Sequence, residues 1–260
     1  MKVPFSMRTS RWYSRPELNR NPRFRKPLLY PFELRERRAA RWHEKVLARE
    51  GCFKTKSRGT TMLPSSLIYR PACWVEPLRL QEMFPVPRPL EVELGSGDGS
   101  FLAQWAERCA DRNFLGVERL LGRLRKLDRK ALRAGLSNLR LMRIEAGYFL
   151  EYLLPHGSTE ALHVYFPDPW PKRKHRKHRL IGARFPELAA RVLTPAGITH
   201  LRTDDADYFA QMQEVFAADG RFVPCVTAAH LLERVTDFER EFHARGIPTL
   251  HASYQRRAGT

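Results

Sequence analysis

Acidic residues are in short supply: 28 Asp and Glu stand against 46 Lys and Arg in 260 residues, leaving a net charge of +18 and a pI near 10.3. Such a surplus favours partners that carry phosphate, because it concentrates polyanions at the surface. A solubilising surface or a membrane-surface protein would share that balance. Cysteine is scarce as well. Cys52, Cys73, Cys109 and Cys225 lie far apart without a CxxC pair, which argues against a zinc ribbon or a disulfide framework and fits a reducing compartment. No run of residues reaches the apolar length of a membrane span. The first 25 residues lack an apolar h-region, so they do not read as a secretory signal, although an Arg-rich start with Glu17 as its one acid shares features with an organellar transit peptide. The nine histidines form no HExxH and no metal-ligand spacing. No histidine is paired at a recognisable spacing with Ser96 or Ser100, so acyl chemistry has no support. A cytoplasmic protein without metal or membrane is expected.

What is present divides near residue 60. Residues 1–60 hold 17 Lys and Arg against 5 Asp and Glu, two thirds of the net charge. Pro4, Pro16, Pro22, Pro27 and Pro31 favour extended chain there. Residues 34–49 could form one basic helix with Trp42, Val46 and Leu47 on its apolar side. The segment reads equally well as an RNA-binding arm that orders on contact and as a disordered extension.

From Leu90 the pattern becomes regular. Strands are expected at 90–94, 113–118, 139–144, 162–166 and 198–202. Helices are expected at 100–109, 119–134, 148–154, 185–193 and 206–218. Alternation at this spacing predicts an α/β fold, a parallel sheet with helices on both faces. Ligands of such folds sit beyond the carboxyl ends of the strands.

The residues at those ends carry chemistry. The first strand runs into Glu93-Leu94-Gly95-Ser96-Gly97-Asp98-Gly99, where glycines allow a sharp turn and close approach of a ligand. The dinucleotide fingerprint needs a third glycine at position 100, where this chain has Ser100. That difference argues against a nicotinamide oxidoreductase and favours S-adenosylmethionine, whose ammonium group would suit Glu93. Glu118 can accept both ribose hydroxyls of an adenosine, and Glu145 can face the adenine amino group. After the fourth strand comes Pro167-Asp168-Pro169-Trp170-Pro171-Lys172. The prolines restrict the directions open to Asp168, and Trp170 supplies a flat face. Eight residues from Lys172 to Arg179 contain no acid. A fixed acid, an aromatic plane and a basic run together suit an unpaired base held beside a phosphate backbone.

The segment from Phe166 to Arg179 resembles the FPDPWPKxxHxKxR signature of bacterial tRNA (guanine-N7)-methyltransferases. The likeness continues in the ExGxGxG loop at Glu93, in Gly116–Glu118, in Thr203-Asp204 and in Thr236-Asp237-Phe238-Glu239, and it covers about residues 68–258. It implies a Rossmann-like, seven-stranded methyltransferase sheet over residues 68–260; the basic, proline-rich, partly disordered extension expected over 1–67 has no counterpart in the bacterial pattern. It implies S-adenosylmethionine as cofactor and methylation of guanosine N7 in the variable loop of tRNA; a monomer is expected, with oligomeric state left open by the sequence. Cofactor contacts are implied at Glu93, Gly95, Gly97, Glu118, Glu145 and Asp168, with Asp168 catalytic. Substrate contacts are implied at Lys172, Asp204, Thr236, Asp237, Phe238 and Glu239. Two positions depart from the family pattern: Glu145 stands where Asp or Asn is usual, and Asp237 replaces the usual Lys. Methylation of another RNA and a catalytically silent RNA-binding protein are the alternatives on the same scaffold.

Overall fold

The computed structural model describes residues 65–99 and 101–259. The basic arm, and the helix expected at 34–49, lie outside the described residues. In chain order the elements are α1 (Leu80–Met83), β1 (Leu90–Leu94), α2 (Leu102–Arg108), β2 (Asn113–Val117), α3 (Leu121–Arg133) and β3 (Leu139–Met142). They continue with α4 (Ala146–Tyr148), which runs into a π-helical turn at Phe149–Leu153, then β4 (Thr159–Tyr165) and a 3-10 helix at Arg173–His178. The last part holds α5 (Phe185–Val192), β5 (Leu193–Thr203), α6 (Ala206–Ala217), β6 (Phe222–Cys225), α7 (Ala229–Leu232), α8 (Asp237–His243) and β7 (Leu250–Arg256).

Seven strands form one sheet in the order β3-β2-β1-β4-β5-β7-β6. β1 to β5 pair in parallel, as the strand–helix alternation predicts. β7 runs antiparallel between β5 and β6, so the sheet is mixed rather than wholly parallel. The order reverses beside β1, and a doubly wound sheet opens its ligand crevice at such a reversal.

Strict alternation along the central strands sends different residues to the two faces. Val92, Leu94, Leu162, Val164 and Leu201 pack with Phe185, Tyr208 and Phe216 of α5 and α6. The opposite face is covered by α2 and α3 through Phe101, Leu102, Trp105, Leu124 and Leu127. On this second side the central strands present polar groups, Glu91 and Glu93 from β1, His163 from β4, and His200 and Arg202 from β5, all buried.

The domain boundary expected at 67/68 falls inside a segment bound to the sheet. Leu67 is buried and accepts from Leu141 N at 2.9 Å, and Tyr69 N donates to Leu141 O at 2.8 Å. Asp128, the one acid of α3, turns inward to hold it: Oδ1 accepts from Leu67 N at 2.7 Å and Oδ2 from Ser66 Oγ at 3.0 Å. Asp128→Ala should therefore cost about 1–3 kcal/mol by leaving a buried donor unmade. Urea denaturation checks this, and an unchanged midpoint would show that the segment does not depend on the carboxylate.

Candidate active site

The glycine loop leaves β1 with Gly95 N and Ser96 N both donating to Val117 O, at 2.8 and 3.0 Å. Gly97 and Gly99 adopt φ of +57° and +79°, a region that residues with a Cβ occupy at a cost. At Gly99 a Cβ would also meet Leu127 Cδ1 at 2.0 Å, so α3 packs directly beneath the loop. Above the loop there is room: a Cβ on Gly95 would meet nothing within 4 Å, and one on Gly97 only Gly95 O at 4.0 Å.

Beneath this opening the acids gather. Glu118 braces the loop, its Oε2 accepting from Gly97 N at 3.1 Å and its Oε1 from Leu120 N at 2.6 Å. Glu93 is buried, and its Oε2 and the Oγ of Ser96 have no hydrogen-bond partner among the described residues. Burial, with the charges of Glu118 and Asp98 nearby, pushes the Glu93 carboxyl from its ordinary 4.5 to about 8, against the pull of Arg202. Orphaned buried oxygens, adjacent carboxylates and an open glycine turn fit a ligand that brings positive charge and hydrogen-bond donors. This set of acceptors suits the ammonium group at the methionine end of S-adenosylmethionine. Glu145 differs from the other acids: it caps α4, accepting from Gly147 N at 2.8 Å and Tyr148 N at 2.7 Å.

The Pro-Asp-Pro-Trp segment is held under strain. Phe166 and Trp170 both sit at positive φ, 51° and 44°, where bulky residues are outliers and whose cost the surroundings must offset. Phe166 N donates to Arg202 O at 2.8 Å. Arg179, buried, donates to Pro169 O at 2.7 Å, Gln211 Oε1 at 2.7 Å and Asp207 Oδ2 at 2.6 Å, and lies over the Tyr208 ring at 4.6 Å. A cation counted in the sequence as part of a basic run is thus the staple that fastens the segment to α6. Between the two strained residues Asp168 is exposed. The Trp170 ring lies 5.8 Å from His175 and 5.3 Å from His178, and Lys172 is exposed at the start of the 3-10 helix. Asp204, half-buried just past β5, has its carboxyl pushed up by burial and by Asp205.

The Thr236–Glu239 element divides into two buried and two outward-facing side chains. Thr236 and Glu239 are buried in a reciprocal capping box: Glu239 N donates to Thr236 Oγ1 at 3.0 Å, and Thr236 N to Glu239 Oε2 at 2.7 Å. Arg202, 2% exposed, donates to Glu239 Oε2 at 2.9 Å, to Arg234 O at 2.7 Å and to Leu231 O. Asp237 pairs with Arg240, and Phe238 is exposed with its ring 6.3 Å from that of Phe166. Phe238 is therefore the side chain of this element presented toward the Pro-Asp-Pro-Trp segment. The roles of Arg179 and Arg202 had no local signal in the sequence; the capping box did, in its Thr-x-x-Glu spacing.

A family model described as "Putative methyltransferase" matches residues 87–252. The chain is similar to the tRNA (guanine-N(7)-)-methyltransferase of Halorhodospira halophila, 38% identical over 143 residues, 55% of this chain and 62% of that protein. It is also similar to the tRNA (guanine-N(7)-)-methyltransferase of Alkalilimnicola ehrlichii, 32% identical over 176 residues, 68% of this chain and 74% of the relative. The match thus spans less than two thirds of the first relative and about three quarters of the second. Among solved structures the 16S rRNA methyltransferase KamB superposes with a TM-score of 0.52 at 14% identity, over 68% of this chain and 92% of that one, a likeness of fold.

The raised carboxyl of Glu93 sets a direction for stability against pH. Between about 4.5 and 8 the folded chain holds a proton that the unfolded chain has lost, so stability falls as pH rises through that window. One such group contributes at most about 1.4 kcal/mol per pH unit. Glu93→Gln should flatten this part of a stability profile measured by denaturation at several pH values; an unchanged slope would mean that Glu93 is ionised throughout.

Proposed function

The chain belongs to the tRNA (guanine-N7)-methyltransferase family, and on that premise we propose that it transfers a methyl group from S-adenosylmethionine to N7 of a guanosine in the tRNA variable loop. The observation that carries the reading is the placing of Asp168, exposed between two strained residues in a segment that Arg179 fastens through Pro169, just past β4, the strand next to the one that feeds the glycine loop. When bound, the cofactor supplies a methyl group on a positively charged sulfur.

Glu93 and the Gly95–Gly97 turn would receive the ammonium end, and Glu118 the ribose hydroxyls by way of its remaining lone pairs. Ionisation of Glu93 would accompany binding, because a cation beside it reverses the effect of burial. Glu145, with both oxygens capping α4, would act on the adenine side mainly by fixing the backbone at Gly147 and Tyr148.

Guanine N7 has an exposed lone pair and attacks without first losing a proton, so no general base is required. The product is a cationic 7-methylguanine. The work left to the protein is alignment, which lowers barriers by several kcal/mol when geometry is tight, and fixed negative charge near the developing cation. Asp168 would provide that charge, and a carboxylate held on a strained loop loses little freedom in doing so. Asp204 would accept from guanine N1 and N2 hydrogens; its raised carboxyl suits a group that becomes charged in contact with a donor. Lys172 would grip a phosphate, and Phe238 would offer a ring for stacking. For Thr236 and Glu239 the contribution is the capping box and the tie to Arg202, which keep Phe238 and Asp237 in place.

Transfer of labelled methyl to unmodified tRNA tests the reading. Asp168→Ala should lower the rate by about 100-fold or more while leaving thermal stability unchanged, since Asp168 is exposed. Replacing the variable-loop guanosine should abolish labelling. Label that persists on the altered tRNA would move the target elsewhere, and tRNA binding with no label on any substrate would favour the silent RNA-binding protein.

A further inference from the structure

α3 presents a basic face that no role described above uses. Arg123, Arg125, Lys126, Arg129, Lys130 and Arg133 fall within its thirteen residues, and its one acid, Asp128, is turned inward to residues 66 and 67. Leu124, Leu127 and Ala131 bury the opposite side, so the helix is amphipathic with cations as its outer surface. Lys126, Arg129, Lys130 and Arg133 recur at the i, i+3, i+4, i+7 spacing of one helical stripe. They line a cleft of about 270 Å³ with Asp98 of the glycine loop and Asp237 of α8. Lys130 Nζ donates to Gly99 O at 3.4 Å; Lys126, Arg129 and Arg133 make no ion pair with a described residue.

The position of this face in the topology gives it meaning. α3 follows β2 and the basic 3-10 helix follows β4, and these strands flank β1 on its two sides. Two tracks of cations therefore leave the sheet on opposite sides of the glycine loop. Arg123, at one end of the stripe, lies 6.0 Å from the centre of the exposed Phe238 ring, so the stripe begins beside the place offered to the base. From Arg123 to Arg133 it extends about 15 Å along the helix, long enough for more than one phosphate. Cations that make no ion pair with a described residue, next to an exposed aromatic ring, suit a nucleic-acid strand better than a lipid surface, which would need apolar side chains along the same stripe.

We propose that the α3 stripe binds the RNA backbone on the β2 side of the active site, opposite the 172–179 run, so that the RNA crosses the site held at both sides. The proposal rests on tRNA being the substrate. The two acids of the cleft restrict where a phosphate can settle, Asp237 being partly neutralised by Arg240.

The test compares the full chain with Lys126→Glu/Arg129→Glu and with Arg70→Glu/Arg79→Glu, which changes the net charge equally at two exposed cations off the stripe. Affinity for tRNA is measured across a range of salt. The α3 pair should lose about tenfold or more in affinity, and its plot of log affinity against log salt should flatten by roughly 1.5, the loss of two phosphate contacts. The Arg70/Arg79 pair should move much less. Affinity for S-adenosylhomocysteine, read by calorimetry, should be the same in all three. If charge reversal unfolds the chain, Lys126→Gln/Arg129→Gln carries the same comparison with a flattening in the same direction. Equal effects of the two pairs, or an unchanged slope in the α3 pair, would overturn the proposal. Absence of methyl transfer by the unaltered chain would instead defeat the activity, whatever the slopes.

Discussion

A buried guanidinium holds the two halves of the site together. Arg202 points from the end of β5 into the interior, lies 4.4 Å from the centre of the Tyr165 ring, and spends its donors on Glu239 and on the carbonyls of Leu231 and Arg234. Its own carbonyl accepts from Phe166, the first strained residue of the Pro-Asp-Pro-Trp segment. One residue thus anchors α7, α8 and the segment that carries Asp168 to the centre of the sheet. It also lies close enough to Glu93 to temper the carboxyl there. An ion pair this deep is strongly destabilising to break from one side, because the abandoned partner is left charged away from water.

Arg202 is part of a wider feature, a polar layer under one face of the sheet. Glu91 accepts from Trp105 Nε1 at 2.8 Å, meets His163 Nε2 at 2.9 Å and pairs with Arg112 at 3.1 Å. Burial opposes its charge, yet these partners hold its carboxyl at about 2. His200 stacks on His163, meets Ser253 Oγ at 2.8 Å, and is driven by burial to about 3, so it stays neutral. Glu93, in the same row, lacks such partners for one of its oxygens. The contrast separates two kinds of buried acid on one strand: Glu91 is satisfied within the protein, and Glu93 keeps an unpartnered oxygen of the kind the proposed cofactor site needs.

Much of the framework was legible because it depends on local pattern. The β1 run Leu90–Leu94 matches the expected strand at both ends, and the expected helix at 185–193 differs from α5 by one residue. β4 begins earlier than expected, at Thr159, because pairing with β5 recruits polar residues, and it stops before Phe166, whose positive φ turns the chain out of the ladder. β5 likewise extends back to Leu193 through Pro195 and Gly197. β6 and β7 gave little signal: one contains Pro224, and the other, Leu250–Arg256, has no β-branched residue. Of the site, the glycine loop and the acids at strand ends could be read from spacing. The services of Arg179, Arg202 and the inward Asp128 could not, since each depends on partners about 30 to 60 residues away in sequence.

Whether Arg202 and Glu239 act as one buried unit that fixes α8 beside the Pro-Asp-Pro-Trp segment is read from a double-mutant cycle. Arg202→Met and Glu239→Met are made singly and together, and unfolding free energies are compared. Each single change should cost about 3–5 kcal/mol, and the pair at least about 2 kcal/mol less than the sum. Costs that simply add would show instead that the two charges are stabilised separately and form no unit.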